Sequence, residues 1–362
     1  MSSLPKGFKA AGIACGIKKS GKPDLSLIYS EVPAIAAGVF TSNQVKGNPV
    51  IVSKAFLKNG IAQAIISNAG NANTWTGKQG LGDAFEMTKL TADALGIPQN
   101  NVLVTSTGVI AKPLPLPNIR KGIEKVTKKL SKTGLKAAAK AILTTDTRVK
   151  MISVKVGRIT ISGIAKGSGM IEPNMCTMHA FIATDAKIGK RSLNKLLRNA
   201  VNKSFNLVSV DGCMSTSDCV IVLANGESGK PAGKEFIKAF EKICEYLAKE
   251  IARDGEGASK LMTIKVKNAC NDKDAKAVVK AIVNNHLLKA AVYGRDKNVG
   301  RILQAVGATK AKVNWKKFKF DWKIGKKEDT IMVDLKAGKK SAAGWGCDLT
   351  EGYVKINARY HT

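Results

Sequence analysis

Apolar and polar positions along the chain fall into short stretches of two different periods, so strands and amphipathic helices take turns without any internal repeat or low-complexity linker. Residues 151–165 (MISVKVGRITISGIA) alternate with period two and break at Gly157–Arg158, which predicts a hairpin. Residues 219–223 (CVIVL) form a continuous apolar run stopped by Asn225–Gly226, the pattern of a buried strand. Between residues 235 and 251, Phe236, Phe240, Ile243, Cys244, Leu247 and Ile251 share one face of an amphipathic helix that ends against Asp254–Gly255–Glu256–Gly257. Residues 48–68 read as two apolar strands around a short helix. Residues 120–140 carry lysines through a helical pattern, as a solvated face does. Near residue 271 the chain starts again with a helical segment (AKAVVKAIVNNHLLKAAVYG) and then turns largely to strands, so a C-terminal domain is expected from about 271 to 362. The class is α+β rather than doubly wound. Neither glycine signature of phosphate binding is present.

Composition narrows this picture. A 362-residue chain is long enough for two domains or one large one, and 44% hydrophobic with 24% charged residues suits a packed core rather than disorder. No apolar run reaches the length of a membrane span, and the N-terminal MSSLPKGFKAAGIACG lacks an apolar signal core. Seven cysteines without a Cys-x-x-Cys pair and three histidines indicate neither a disulfide framework nor a metal site, and point to a reduced, cytoplasmic protein. Lys and Arg number 59 against 27 Asp and Glu, a net charge of +32. Such a surplus attracts nucleic acid, but the basic residues are spread along the chain with few aromatic neighbours, so nucleic-acid binding is a minor alternative.

Four polar, glycine-rich segments interrupt the core sequence: residues 105–108 (TSTG), 166–177 (KGSGMIEPNMCT), 211–218 (DGCMSTSD) and 254–260 (DGEGASK). Singly, each reads as a turn or a cap, since glycine and aspartate make turns and hydroxyls cap helices. Together on one chain they suggest a site mounted on loops. A hydroxyl nucleophile needs a base, yet His286 and His361 lie outside any nucleophile-elbow pattern. A threonine can use its own α-amino group instead, provided the chain is cut just before it. Thr177 sits where glycines and Pro173 give way to an apolar run, and on this ground it is one candidate among several.

The ordered motifs carry a resemblance. PKGFKAAGI (5–13), GVFTSNQVKGNPV (38–50), NAGNANTWTGKQG (68–80), TSTGVI (105–110), TTDT (144–147), KGSGMIEPNMCTM (166–178), SVDGCMSTSD (209–218), DGEGASK (254–260), YGRDKNVGRI (293–302) and WGCDLTEGYVKINARYHT (345–362) run nearly end to end. By them the chain resembles the ornithine acetyltransferase family, the bifunctional glutamate N-acetyltransferase/ornithine acetyltransferase of arginine biosynthesis.

The resemblance implies a self-processing fold similar to, but topologically distinct from, the N-terminal nucleophile hydrolases. It implies cleavage at Cys176–Thr177, giving an α chain of 1–176 and a β chain of 177–362 that assemble as an α2β2 tetramer. Acetyl would pass from N2-acetylornithine to Thr177 and on to glutamate, with no cofactor or metal and with acetyl-CoA as a possible co-substrate. The family's oxyanion hole maps onto Thr107 and Gly108. Its substrate-binding positions map onto Thr144 (or Thr145 if the register slips by one), Lys166, Thr177, Glu256, Asn357 and Thr362. Glu256 has a second reading as the cap of a helix starting near Ala258. Compared with the usual family pattern, Cys176 replaces alanine, His179 leucine, Ala111 glycine and Val299 tryptophan, while Cys213, Met214 and Ser217 replace Asp, Thr and Asn. For His179 a buried hydrogen bond is favoured over a substrate contact, and Asp211 and Asp218 read as turn formers. A threonine-nucleophile amidase or aminopeptidase, and an unprocessed basic nucleic-acid-binding protein, are the competing readings.

Overall fold

The computed structural model describes residues 3–172 and 178–358. The first half contains β1 (Phe8–Ile13), the long β2 (Leu25–Phe40), α1 (Asn48–Phe56), β3 (Ile61–Asn71), α2 (Gly77–Leu95), β4 (Val102–Val109), α3 (Leu116–Lys128), α4 (Leu135–Ala141), β5 (Lys150–Val156) and β6 (Ile159–Lys166). Then follow β7 (His179–Thr184), α5 (Lys190–Lys203), the two-residue β8 (Val208–Ser209), β9 (Cys219–Ala224), α6 (Lys234–Arg253) and β10 (Leu261–Ala269). The chain closes with α7 (Asp272–Val283), α8 (His286–Gly294), α9 (Val299–Gly307), β11 (Lys319–Lys323), β12 (Glu328–Asp334), β13 (Lys340–Cys347) and α10 (Glu351–Asn357).

Two mixed sheets result, and the α+β class read from the sequence holds. Among the described residues the larger sheet runs β4-β3-β2-β9-β7-β6-β5, with β1 added to β2. The apolar run at 219–223 becomes β9, fully buried, antiparallel to β2 and parallel to β7. The hairpin predicted at 151–165 forms as β5 and β6, paired from Lys150–Ala165 to Val156–Ile159. On one face of this sheet α5 and α6 bury Leu197, Phe240, Ile243 and Leu247 against Ile161, Ile182 and Val222. On the same side, at the β3–β4 end, Val52, Met87 and Ile123 of α1–α3 cover Leu27, Ile66 and Val104. The opposite face carries Ile65, Ile164, Phe181 and Ile221 under α4.

The smaller sheet runs β11-β12-β10-β13-β8, backed by a separate core of Val278, Val279, Ile282, Trp322 and Ile331. The boundary expected near residue 271 falls between β10 and α7, inside this smaller unit rather than at its edge, because β8 and β10 precede it and are strands of the same sheet.

Two local expectations need correction. The apolar run at 48–53 is helix α1, not a strand: Pro49 sits in its first turn, where the missing N–H is not needed, and a short apolar run cannot by itself tell the two apart. The helical segment after 271 is two helices, because the Asn285 side chain accepts from Leu288 N (2.8 Å) and starts α8 afresh; a third helix, α9, precedes the strands.

Candidate active site

The four glycine-rich segments, far apart in sequence, converge on one cavity of about 290 Å³. Thr107 and Gly108 line it from the end of β4, and Lys166, Gly169, Met170 and Ile171 from the end of β6 onward. Ser215, Thr216, Ser217 and Asp218 border it ahead of β9, Glu256 after α6, Asn357 on α10, and Thr144 and Thr145 ahead of β5. Met178, the residue after Thr177 in the chain, lines it too. Cys176, Thr177 and Thr362 lie outside the described residues.

Residues near the ends of β4 and β6, strands well separated in the sheet order, meet directly: Lys166 Nζ donates to Thr107 Oγ1 at 3.3 Å. Gly108 must be glycine. Its φ is +134°, and a Cβ there would stand 2.3 Å from the Gly70 carbonyl carbon. Lys166 is buried, and that burial lowers its pKa although Asp146, Asp218 and Glu256 pull the other way. A lysine so placed is a strong partner for a carboxylate-bearing ligand.

A buried ion cluster braces the 144–147 loop. Lys150, 1% exposed, reaches Asp146 Oδ1 at 2.7 Å and Asp254 Oδ2 at 2.5 Å. Asp146 also accepts from Thr144 N (2.9 Å) and Gly167 N (2.6 Å), and Asp254 from Thr147 N (3.1 Å), Thr147 Oγ1 and Arg148 N (3.2 Å). Burial raises the Asp146 pKa, but Lys150, Lys166 and the Gly167 N–H outweigh it and hold the carboxyl below the usual range. Thr145 meets the Ser168 hydroxyl at 2.7 Å, so both threonines weighed for the binding position reach the cavity wall.

The loop that leads toward Thr177 is held by Asp211. Its carboxylate accepts from Met170 N (2.6 Å), Ile171 N (2.8 Å) and Cys213 N (3.1 Å). Backbone bonds Glu172 N to Cys213 O (2.9 Å) and Val210 N to Ile171 O (2.8 Å) complete the clamp.

Glu256 does not cap a helix, since residues 254–260 form a turn that leads straight into β10. Its carboxylate accepts instead from Asn357 Nδ2 at 2.8 Å, which joins two expected site residues 101 positions apart. Gly169 makes room for that carboxylate: a Cβ at 169 would lie 2.3 Å from it. The helix α10 is seated by Thr350 Oγ1, which donates to Gly257 O at 2.6 Å.

His179, 1% exposed, makes the expected buried hydrogen bond, with Nε2 3.0 Å from Ser217 O. A carbonyl can only accept, so Nε2 carries the proton and Nδ1 keeps a lone pair without a partner among the described residues. Burial and the nearby Lys166 pull its pKa down to about 3, so the ring is neutral. Among the described residues no three His, Cys, Asp or Glu side chains converge as a metal-binding group would.

Comparison with known proteins supplies the family. Residues 9–362 match the family model described as the ArgJ family. The chain belongs to the ArgJ family. It is 47% identical to the arginine biosynthesis bifunctional protein ArgJ of Caldanaerobacter subterraneus subsp. tengcongensis, over 99% of this chain and 98% of that protein. To the protein of the same name from Thermotoga neapolitana it is 45% identical, over 99% of this chain and 100% of the relative. Among solved structures it is similar to ornithine acetyltransferase complexed with ornithine from Mycobacterium tuberculosis, at 38% identity and TM-score 0.47, over 48% of this chain and 95% of that one.

Of the family positions carried over by motif, Thr107, Gly108, Thr144, Lys166, Glu256 and Asn357 therefore share one cavity wall. Sequence reasoning missed Lys150, the centre of the ion cluster. Nothing distinguishes it among 59 basic residues until the fold buries it. Asp218, read as a turn former, also lines the cavity.

Proposed function

We propose that this chain is an acetyltransferase of arginine biosynthesis that moves the acetyl group of N2-acetylornithine to glutamate through an acetyl ester on Thr177. The observation that carries this reading is the convergence of Thr107, Gly108, Lys166, Glu256 and Asn357 on one cavity, next to the residue following Thr177. Cleavage at Cys176–Thr177 frees the threonine α-amino group, which takes the hydroxyl proton as Oγ attacks the acetyl carbonyl. The Thr107 hydroxyl and the Gly108 N–H stabilise the tetrahedral oxyanion, an interaction whose loss typically costs about 3 kcal/mol of barrier. Lys166 receives a substrate carboxylate, and Glu256, oriented by Asn357, an amino group. Ornithine leaves, glutamate attacks the ester, and the acetyl group is conserved in a ping-pong cycle. The carboxylate of Thr362, Thr144 and Thr177 itself complete the substrate contacts. In this reading the two chains of each precursor assemble as α2β2, the reaction needs no cofactor, acetyl-CoA is a possible second donor, and the enzyme works in the cytoplasm.

The test is a two-substrate assay. Parallel initial-rate lines with N2-acetylornithine and glutamate, abolished in Thr177→Ala, are expected. Release of free acetate in place of acetylglutamate would instead make the chain an amidase.

A further inference from the structure

Resting on the reading above, we infer that Asp218 is the residue that stores the proton exchanged between the two amine substrates. The proton balance gives such a store a use. The amide nitrogen of N2-acetylornithine carries one hydrogen, and ornithine leaves as an ammonium ion with three. One of the two protons gained comes from the Thr177 hydroxyl as the Oγ–C bond forms and the C–N bond breaks. The second comes from a site acid when the nitrogen is protonated as the C–N bond breaks, and from solvent when the amine departs neutral; in this proposal the site supplies it. In the other half-reaction glutamate enters as an ammonium ion and ends as an amide, losing two protons. One returns to Thr177 Oγ as the ester C–O bond breaks and the new N–C bond forms. The other returns to the site group that gave up its proton in the first half-reaction. The store is thus protonated in the free enzyme, ionised in the acetyl-enzyme, and restored with every turnover.

Asp218 has the properties this role requires. It is 3% exposed and borders the cavity, and its Oδ2 has no hydrogen-bond partner among the described residues, although buried carboxylates otherwise find one. The residue lines the cavity while its Oδ2 lies just beneath the surface with no bond to break, so a small side-chain rotation is enough to bring that oxygen to a bound amine. Two bonds fix its position: Thr41 N donates to Asp218 O (2.9 Å), and Cys219 N to Met178 O (2.8 Å), which sets Asp218 beside the residue after Thr177.

The charged surroundings suit a carboxyl that changes state. Burial raises its pKa well above the ordinary value, favouring the acid in the empty site; Lys166 on β6 and the Ser215 hydroxyl pull the other way and stabilise the anion once the proton has gone. The neighbouring anions are partnered elsewhere, Asp146 by Lys150 and Glu256 by Asn357. His179 on β7 stays neutral, with a pKa of about 3, and does not compete for the proton.

The experiment follows acetylation of the processed enzyme by intact mass with two donors, N2-acetylornithine and p-nitrophenyl acetate, whose phenolate departs without a proton. In Asp218→Asn the ratio of the amide-donor rate to the ester-donor rate falls about a hundredfold, the usual scale of a lost general acid. The ester arm also reports that the variant is folded and processed. In the wild type, acetylation by N2-acetylornithine declines as pH rises through the Asp218 pKa, because the acid form is the donor. That decline is absent in Asp218→Asn and moves to higher pH in Ser215→Ala, which keeps the carboxyl but removes a bond favouring its anion. An unchanged donor ratio, or a pH decline that Ser215→Ala leaves in place, overturns the inference. If wild-type enzyme takes acetyl from the ester but never from N2-acetylornithine, the proposed function itself fails, a result distinct from either.

Discussion

Two buried polar clusters stand behind the walls of one cavity and are built in opposite ways. Around Lys150, each oxygen of Asp146 and Asp254 meets the ammonium, a backbone N–H or a hydroxyl. Around Asp218 and His179, equally buried, one oxygen and one ring nitrogen have no partner among the described residues. A buried polar network that is complete holds a loop rigid, while an incomplete one costs stability and persists where function uses the open atom. The first cluster is the scaffold of the 144–147 loop; the second is where proton chemistry is expected.

The comparison breaks most visibly at its charged centre. Lys150→Met leaves two buried carboxylates without their counter-ion, so unfolding free energy should fall by about 3–5 kcal/mol in denaturant titration. A change under about 1 kcal/mol would show that the cluster is not a scaffold.

His179→Leu comes next and shows itself through pH. The folded-state pKa of about 3 lies below the ordinary 6.5, so the unfolded chain binds the extra proton between those values. The stability tied to neutral His179 is therefore complete above pH 6.5 and is lost as pH falls toward 3, by an amount on the order of a few kcal/mol. Asp218, with a raised pKa, has the opposite sign: its contribution is lost as pH rises through its folded value. The observable is accordingly the difference in Tm between wild type and variant, which should shrink in the variant's favour from pH 6.5 to pH 4. A constant difference would refute the neutral, buried ring.

Ala111→Gly is a smaller, stabilising change. Ala111 holds φ +60°, where relief of left-handed strain, about 1–2 kcal/mol, exceeds the roughly 0.4–1 kcal/mol of unfolded-chain entropy that glycine adds, so a net gain of up to about 1 kcal/mol is expected in thermal unfolding. The smallest stability effect belongs to Asp218→Asn, within about 1 kcal/mol of wild type, because the changed atom has no bond to lose. That variant nevertheless carries the hundredfold loss in donor ratio. Large stability loss at Lys150 and activity loss without instability at Asp218 would together confirm the division.

Much of this was legible in the sequence. Period-two alternation gave the β5–β6 hairpin and the apolar face gave α6, since both patterns report burial directly. The four glycine-rich segments were visible as interruptions, and the motifs named the residues that now share a cavity. What escaped was long-range electrostatics. Lys150 meets Asp254 across 104 positions, and Asn357 meets Glu256 across 101, pairings no local pattern encodes. Helix α1 escaped for a local reason, because its apolar run of a few residues suits either period. In the sequence Asp218 reads as a turn residue, because its missing partner is a property of the folded cavity alone.

The central claim is that Thr177 is freed by cleavage and then carries the acetyl group, and one denaturing intact-mass measurement tests both parts. Untagged protein incubated with N2-acetylornithine and no acceptor should give two chains meeting at Cys176–Thr177, with the mass of one acetyl group added to the 177–362 chain and removed again by glutamate. A single uncut chain, or two chains of which neither gains acetyl, would contradict it.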